Sequence, residues 1–225
     1  MRRLFLALAT TLPAIAGAQV TLVQTNSPGY YNNSIGTSLN LSNTGIDGCA
    51  EPFPLSDDCS ASYPSAPNLS AASAALGNWL TDPLNLNANW TSPPSIPNSW
   101  TAGNEVAVIY QFNTLGATNV QARFGVDNGI FVWLNGNYIL GRRDPGGVSL
   151  GEYTLALGDL PAGTHFLQLL LEDHGSASGY AVEIRADQFT PGPPPTTVPE
   201  PSTWSMLGLG LGAVTFAARR RHRSA

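Results

Sequence analysis

Between Glu105 and Ala186 the chain alternates apolar and polar side chains with a period of two, the signature of strands, whose side chains point to opposite faces in turn. Val106, Val108, Tyr110 and Phe112 share one face, opposite Glu105, Ala107, Ile109 and Gln111. Val120, Ala122, Phe124 and Val126 repeat the pattern opposite Gln121 and Arg123. Ile130–Leu134 leads into Asn135-Gly136 and then Asn137–Leu140; Asn-Gly between apolar runs is a hairpin signal, because both turn positions take positive φ. Glu152–Leu157, Thr164–Leu171 and Tyr180–Ala186 add three strands, with Leu160-Pro161-Ala162-Gly163 turning between the first two, and Val20–Gln24 opens the body. One helix is expected over Ala71–Leu80, capped by Ser70, with Ala72, Leu76 and Trp79 or Leu80 inward and Pro83 beyond its end. Asn85–Ser99 is a Pro-rich loop or irregular edge. Seven or eight antiparallel strands with such turns predict an all-β, two-sheet sandwich of the jelly-roll kind.

Composition agrees with that fold. The 23 Gly and 18 Pro exclude a coiled coil or helical bundle as the main body. Only 11% of residues are charged, where about a quarter is usual, so Asn, Ser and Thr must solvate the surface. Five Trp, seven Tyr and eight Phe are enough for a core, which argues against disorder.

The two ends read as addresses. Arg2-Arg3, the apolar run Leu4–Ile15 and Ala16-Gly17-Ala18 form the n-region, h-region and cleavage site of a signal peptide over residues 1–18, cut before Gln19. The general secretory and twin-arginine routes both remain open. The body is assigned to residues 19–189 and a Pro-rich linker to 190–198. The last segment, 199–225, holds Pro199-Glu200-Pro201, an apolar run from Trp204 to Ala218, and the basic cluster Arg219-Arg220-Arg221-His222-Arg223. As a helix the apolar run would be about 22 Å long, short for a ~30 Å hydrocarbon core, with the arginines on the cytoplasmic side.

This tail resembles the PEP-CTERM sorting signal of Gram-negative bacteria that make extracellular polysaccharide. The resemblance rests on Pro199, Glu200 and Pro201, the short hydrophobic segment and the terminal arginines. It implies processing by a membrane-embedded exosortase, a transient stay at the inner membrane, and delivery to the cell surface or extracellular matrix.

Within residues 19–189 four arginines face fourteen acidic residues, a net charge of about −10, which excludes nucleic acid as a partner. An anionic polysaccharide would need a local arginine patch, and Arg142-Arg143 is the one adjacent pair. Cys49 and Cys59 are the only cysteines, and in an exported chain so close a pair reads as a disulfide. Closing that loop would contribute about 2–3 kcal/mol through the unfolded state. Asp47, Glu51, Asp57 and Asp58 beside it match no calcium-loop template and read as a solvated acidic turn.

A second resemblance covers Val106–Ala186. Phe131-Val132-Trp133-Leu134-Asn135-Gly136, Leu140-Gly141-Arg142-Arg143, Gly146-Gly147 and Leu160-Pro161-Ala162-Gly163-Thr164 resemble the galactose-binding-like jelly roll found as the sugar-binding domain of β-galactosidase-type glycosidases. The resemblance implies the fold, and a ligand that ranges from sugar to none.

Catalytic motifs are few. Gly147-Val148-Ser149-Leu150-Gly151 spells G-x-S-x-G, but a nucleophile elbow needs a strand before it and a helix after it, and here a Pro-Gly-Gly turn precedes and a strand follows. His165 reads as a packed or half-exposed strand residue rather than a base. Glu172-Asp173-His174 closes the strongest core strand, and Asp127-Asn128 joins two others; both are candidate ligand or calcium loops at a sandwich end, or plain turn chemistry. Asp127, Glu172 and Asp173 also supply the carboxylates a glycosidase would need, with no separation fixed by sequence. Trp90, Trp100, Trp133 and Tyr138 are candidates for stacking on sugar rings, Trp133 being core by alternation, and Arg142 and Arg143 for anion contact. The expectation is a non-enzymatic exported module that binds carbohydrate or scaffolds exopolysaccharide, with no cofactor unless calcium. The alternatives are a structural or adhesive matrix protein and, third, a glycoside-acting enzyme.

Overall fold

The alternating runs become strands, and the computed structural model describes them within residues 19–41, 60–92, 94–144, 147–173 and 177–191. The signal segment, Cys49 and Cys59 with their acidic neighbours, His174, and the sorting segment with Pro199, Glu200 and Pro201 lie outside the described residues. In chain order the strands are β1 (Val20–Gln24), β2 (Tyr30–Gly36), β3 (Ala61–Ser62), β4 (Glu105–Asp127), β5 (Gly129–Leu134), β6 (Asn137–Arg143), β7 (Tyr153–Leu160), β8 (Gly163–Glu172), β9 (Gly179–Ala186) and β10 (Gln188–Pro191).

β4 is two expected strands in one. Its first half pairs with β2 and β8, and its second half with β7 and β9. The change of partner falls at Leu115-Gly116, where Gly116 takes φ 142°, open to a residue without Cβ. All pairings are antiparallel, and they give one layer ordered β2–β4–β8–β5–β6–β3 and another ordered β7–β4–β9–β1. β10 runs along the bend, Gln188–Pro191 against Thr118–Thr114, so pairing continues two residues into the stretch that composition gives to the linker.

The inward face of each layer forms the main core. Val106, Val108 and Tyr110 meet Leu167, Leu169 and Leu171 from the larger layer, and Phe124, Val126, Val182 and Ile184 from the smaller. Each such side chain contributes about 1.5–3 kcal/mol on full burial. The fold is all-β, a sandwich of the jelly-roll kind.

The outer face of the larger layer is buried too. Ala107, Ile109, Phe131, Trp133 and Leu170 pack beneath Ala72, Leu76, Trp79 and Trp90 in a second core. Trp79 makes an edge contact with Trp133 at 5.3 Å and stacks on Trp90 at 5.9 Å. The helix that carries this lid is shorter than expected: one 3₁₀ turn over Ser70–Ala72 and one α-turn, α1, over Ser73–Leu76. It stops at Gly77, at φ 59°, and no side chain caps it, Ser70 included. Ala72, Leu76 and Trp79 are nonetheless buried, as the spacing requires. Trp90 and Trp133 are therefore not free to stack on a sugar, and Trp90 Nε1 donates to Leu76 O at 3.1 Å.

Candidate functional site

At one end of the larger layer the register brings Glu105 and Glu172 to adjacent ends of β4 and β8, places Gly129 opposite Glu172, and Arg143 opposite Gly129. Alternation places all four on the outer face, with Ala107, Leu170, Phe131 and Gly141. Glu105, Glu172 and Arg143 are all buried. Gly129 is what permits this, because a Cβ built there would lie 1.7 Å from Glu172 Oε1. The glutamate carboxylate occupies the room that a side chain would take.

Above this row lies a cavity of about 230 Å³, lined by Leu39, Leu41, Tyr63, Asn68, Phe131 and Glu172 among others. Its aromatic wall is Tyr63 against Phe131, ring centroids 5.0 Å apart. Glu105 holds one rim: its two carboxylate oxygens accept from Leu39 N at 2.9 Å and Leu41 N at 2.8 Å. Burial pushes its carboxyl above the ordinary value, the two backbone N–H groups pull it down, and the charge of Glu172 adds an upward push. Tyr138 braces the other side, donating from its hydroxyl to Tyr63 O at 2.8 Å and packing on Trp133 at 5.4 Å. Its phenol is pushed up to about 12, mainly by burial.

The predicted site residues divide as follows. Glu172 lines the cavity. Asp173, buried beside it in sequence, accepts from Gly103 N at 2.7 Å and so fastens the loop before β4. Asn128 is buried in the turn, its N–H donating to Glu172 O at 3.1 Å, and its carbonyl accepts from Asp144 N at 3.2 Å. Asp127 ends β4 opposite Gly179, in the smaller layer. No three His, Cys, Asp or Glu side chains gather closely enough to hold a metal ion among the described residues.

Trp100 is half-buried, its Nε1 donating to Asn104 O at 2.8 Å and its ring 6.4 Å from that of Tyr180. Arg143 corrects the expected anion patch. Adjacent residues of a strand face opposite ways, so Arg143 lies inside while Arg142 reaches solvent. His165 is buried on Phe112, with Nδ1 3.1 Å from Asn135 Nδ2 and Nε2 2.9 Å from Pro161 O. Ser149 sits in an exposed turn, its N–H donating to Glu152 at 2.7 Å, with strand β7 after it.

Sequence reasoning missed Glu105, Tyr63 and the cavity. For Glu105 a signal existed: Val106–Tyr110 is apolar without interruption, the mark of a strand covered on both faces.

The C-terminal residues 197–221 match the family described as the PEP-CTERM protein-sorting motif. The chain carries an export-sorting signal. Such signals are substrates of exosortase, a membrane-associated processing enzyme, and mark exported proteins. No helix among the described residues is long and apolar enough to cross a membrane. No curated protein matches the chain. Among solved structures, an anti-sigma factor domain-containing protein aligns at 11% identity over 51% of this chain and 46% of its own, with TM-score 0.35. The β-glucuronidase from Ruminococcus gnavus in complex with D-glucuronic acid aligns at 9% identity over 79% of this chain and 31% of its own, TM-score 0.42. The exo-β-1,3-galactanase from Phanerochaete chrysosporium with galactose aligns at 15% identity over 39% and 22%, TM-score 0.26. The chain thus spans less than half the length of each of these.

Proposed function

We propose that this exported protein is a non-enzymatic saccharide-binding module, sorted through its PEP-CTERM segment to the cell surface or matrix and associated there with extracellular polysaccharide. The observation that carries the reading is the cavity over the outer face of the larger layer, where the Tyr63–Phe131 wall stands beside the Glu172 carboxylate. Apolar ring faces and a few fixed polar groups are what a sugar, apolar on its C–H face and hydroxylated at its edge, requires. At about 230 Å³ the space falls below the ~300–1,000 Å³ of drug-sized sites, which suits a single ring. Support for binding without hydrolysis comes from Glu105. Glycosidases place two carboxyl groups on either side of the bond they cleave, whereas both oxygens of Glu105 are engaged by backbone N–H groups of the cavity rim.

The test is calorimetric titration of the full chain with neutral and acidic oligosaccharides, beside Tyr63→Ala and Glu172→Gln. The reading expects saturable binding that both substitutions weaken about tenfold or more. Absence of binding to every saccharide would favour a purely structural matrix role. Release of chromophore from aryl glycosides, lost in Glu172→Gln, would make the protein an enzyme.

A further inference from the structure

Four arginines lie in the body, and three are committed to the fold. Arg123 and Arg185 share Glu183, at 3.3 and 2.7 Å, across the outer face of the smaller layer. Arg143 is inside. Arg142 is the exception: it reaches solvent and forms no ion pair among the described residues. It lies on the inward side of β6, with Leu140, which pairs with the core residue Val132. β6 is near the open edge of the larger layer, followed only by the two residues of β3. Across from it stands Tyr153, the first residue of β7 in the smaller layer. Between them opens a cleft of about 290 Å³, lined by Ser60, Ala61, Ser62, Arg142, Asp144 and Tyr153 among others.

Arg143 lines the cleft as well but is fully buried, so Arg142 is the cation there that reaches solvent. Arg142 Nη1 donates to Ser62 Oγ, which leaves the rest of its five-donor fork to a ligand. Arg142 and Tyr153 line the same cleft. Asp144 brings the one negative charge, and both of its oxygens are engaged, by Ser60 Oγ and by the Tyr153 hydroxyl. Burial, with Asp144 beside it, keeps Tyr153 protonated across ordinary pH. We propose that this cleft is a second subsite, in which Arg142 binds the carboxylate of a uronic acid unit while the serine hydroxyls meet its ring. A planar guanidinium receives a carboxylate through two parallel hydrogen bonds, a geometry that a neutral sugar cannot use. The inference rests on the saccharide reading above and names the acidic class of saccharide.

The experiment titrates the full chain with a glucuronate-containing oligosaccharide, its neutral counterpart and inorganic sulfate, at low and high salt. The acidic oligosaccharide should bind about tenfold more tightly than the neutral one, and salt should erase the difference. Arg142→Gln should remove the preference and leave neutral binding intact, whereas Asp144→Asn, by deleting the opposing charge, should strengthen acidic binding. The gain in Asp144→Asn is a readout that misfolding cannot imitate. Equal binding of acidic and neutral oligosaccharides overturns the subsite and leaves the saccharide reading standing. Failure of both to bind overturns the two together. Sulfate that binds as tightly as the acidic oligosaccharide, and is lost in Arg142→Gln, overturns the saccharide identity in favour of a site for free oxyanions.

Discussion

Substituting Gly129 by alanine tests the packing beneath the cavity. The new methyl would lie 1.7 Å from Glu172 Oε1, 2.5 Å from Cδ and 2.8 Å from Cγ, whereas unstrained carbon contacts sit at ~3.5–4.0 Å. The carboxylate must therefore move by about 2 Å to restore ordinary contact. Glu172 is only 2% exposed, so the move meets packed neighbours unless it goes into the cavity. Overpacking of this kind costs about 1–3 kcal/mol, and each kcal/mol lowers Tm by about 2–4 °C in a chain of this size. The assay is thermal unfolding of Gly129→Ala, Glu172→Ala and the double variant. With the carboxylate removed the methyl has room, so the two changes should be coupled by about 0.5–3 kcal/mol. An unchanged Tm in Gly129→Ala, or the same loss in both backgrounds, would refute the argument.

Trp79→Ala should cost about 3–5 kcal/mol, because it removes the side chain that joins Trp90 and Trp133 under the lid; denaturant melts check this, and a loss under about 1 kcal/mol would contradict that packing. Glu105 should impose an unusual pH dependence. Its folded pKa lies above the ordinary 4.5, so the folded state holds the proton more tightly than the unfolded one. Its contribution is then greatest at low pH and declines as pH rises from about 4.5 through the raised value. Stability relative to Glu105→Gln should fall across that window and level off above it; a difference that grows with pH would reverse the assignment. Replacing Pro199, Glu200 and Pro201 together by alanine should leave an unprocessed precursor on immunoblots of the producing cells, and unaltered processing would show that the triplet is not read.

Sequence made the strands legible wherever one face is wet. β7 alternates as expected, and the Asn135-Gly136 turn has φ of 53° and 78°. Legibility failed where both faces are dry. Ala107 and Ile109 were assigned to the face opposite the core by parity alone, yet they are buried by a lid whose helix is only α1 and a 3₁₀ turn. β2 escaped notice because Tyr-Tyr-Asn-Asn-Ser-Ile-Gly shows no clean period, its register shifting between Asn32 and Gly36. Of the site, Glu172 was legible because it ends a core strand. The cavity was not, since Tyr63 and Leu39 come to Phe131 from distant stretches that carry no local pattern. Strand parity separates Arg142 from Arg143, a distinction that reading them as an adjacent pair overlooks.

The placement of β10 has a mechanical consequence. Any tension drawn through the C-terminal segment enters the body at Pro191 and Thr190, and so reaches β4 at its bend, where both layers depend on the same strand. Those four paired residues take the load first, and because Phe189 packs against the main core, opening them disturbs that core as well. β10 thus couples any pull on the C-terminal segment to the one strand that both layers share.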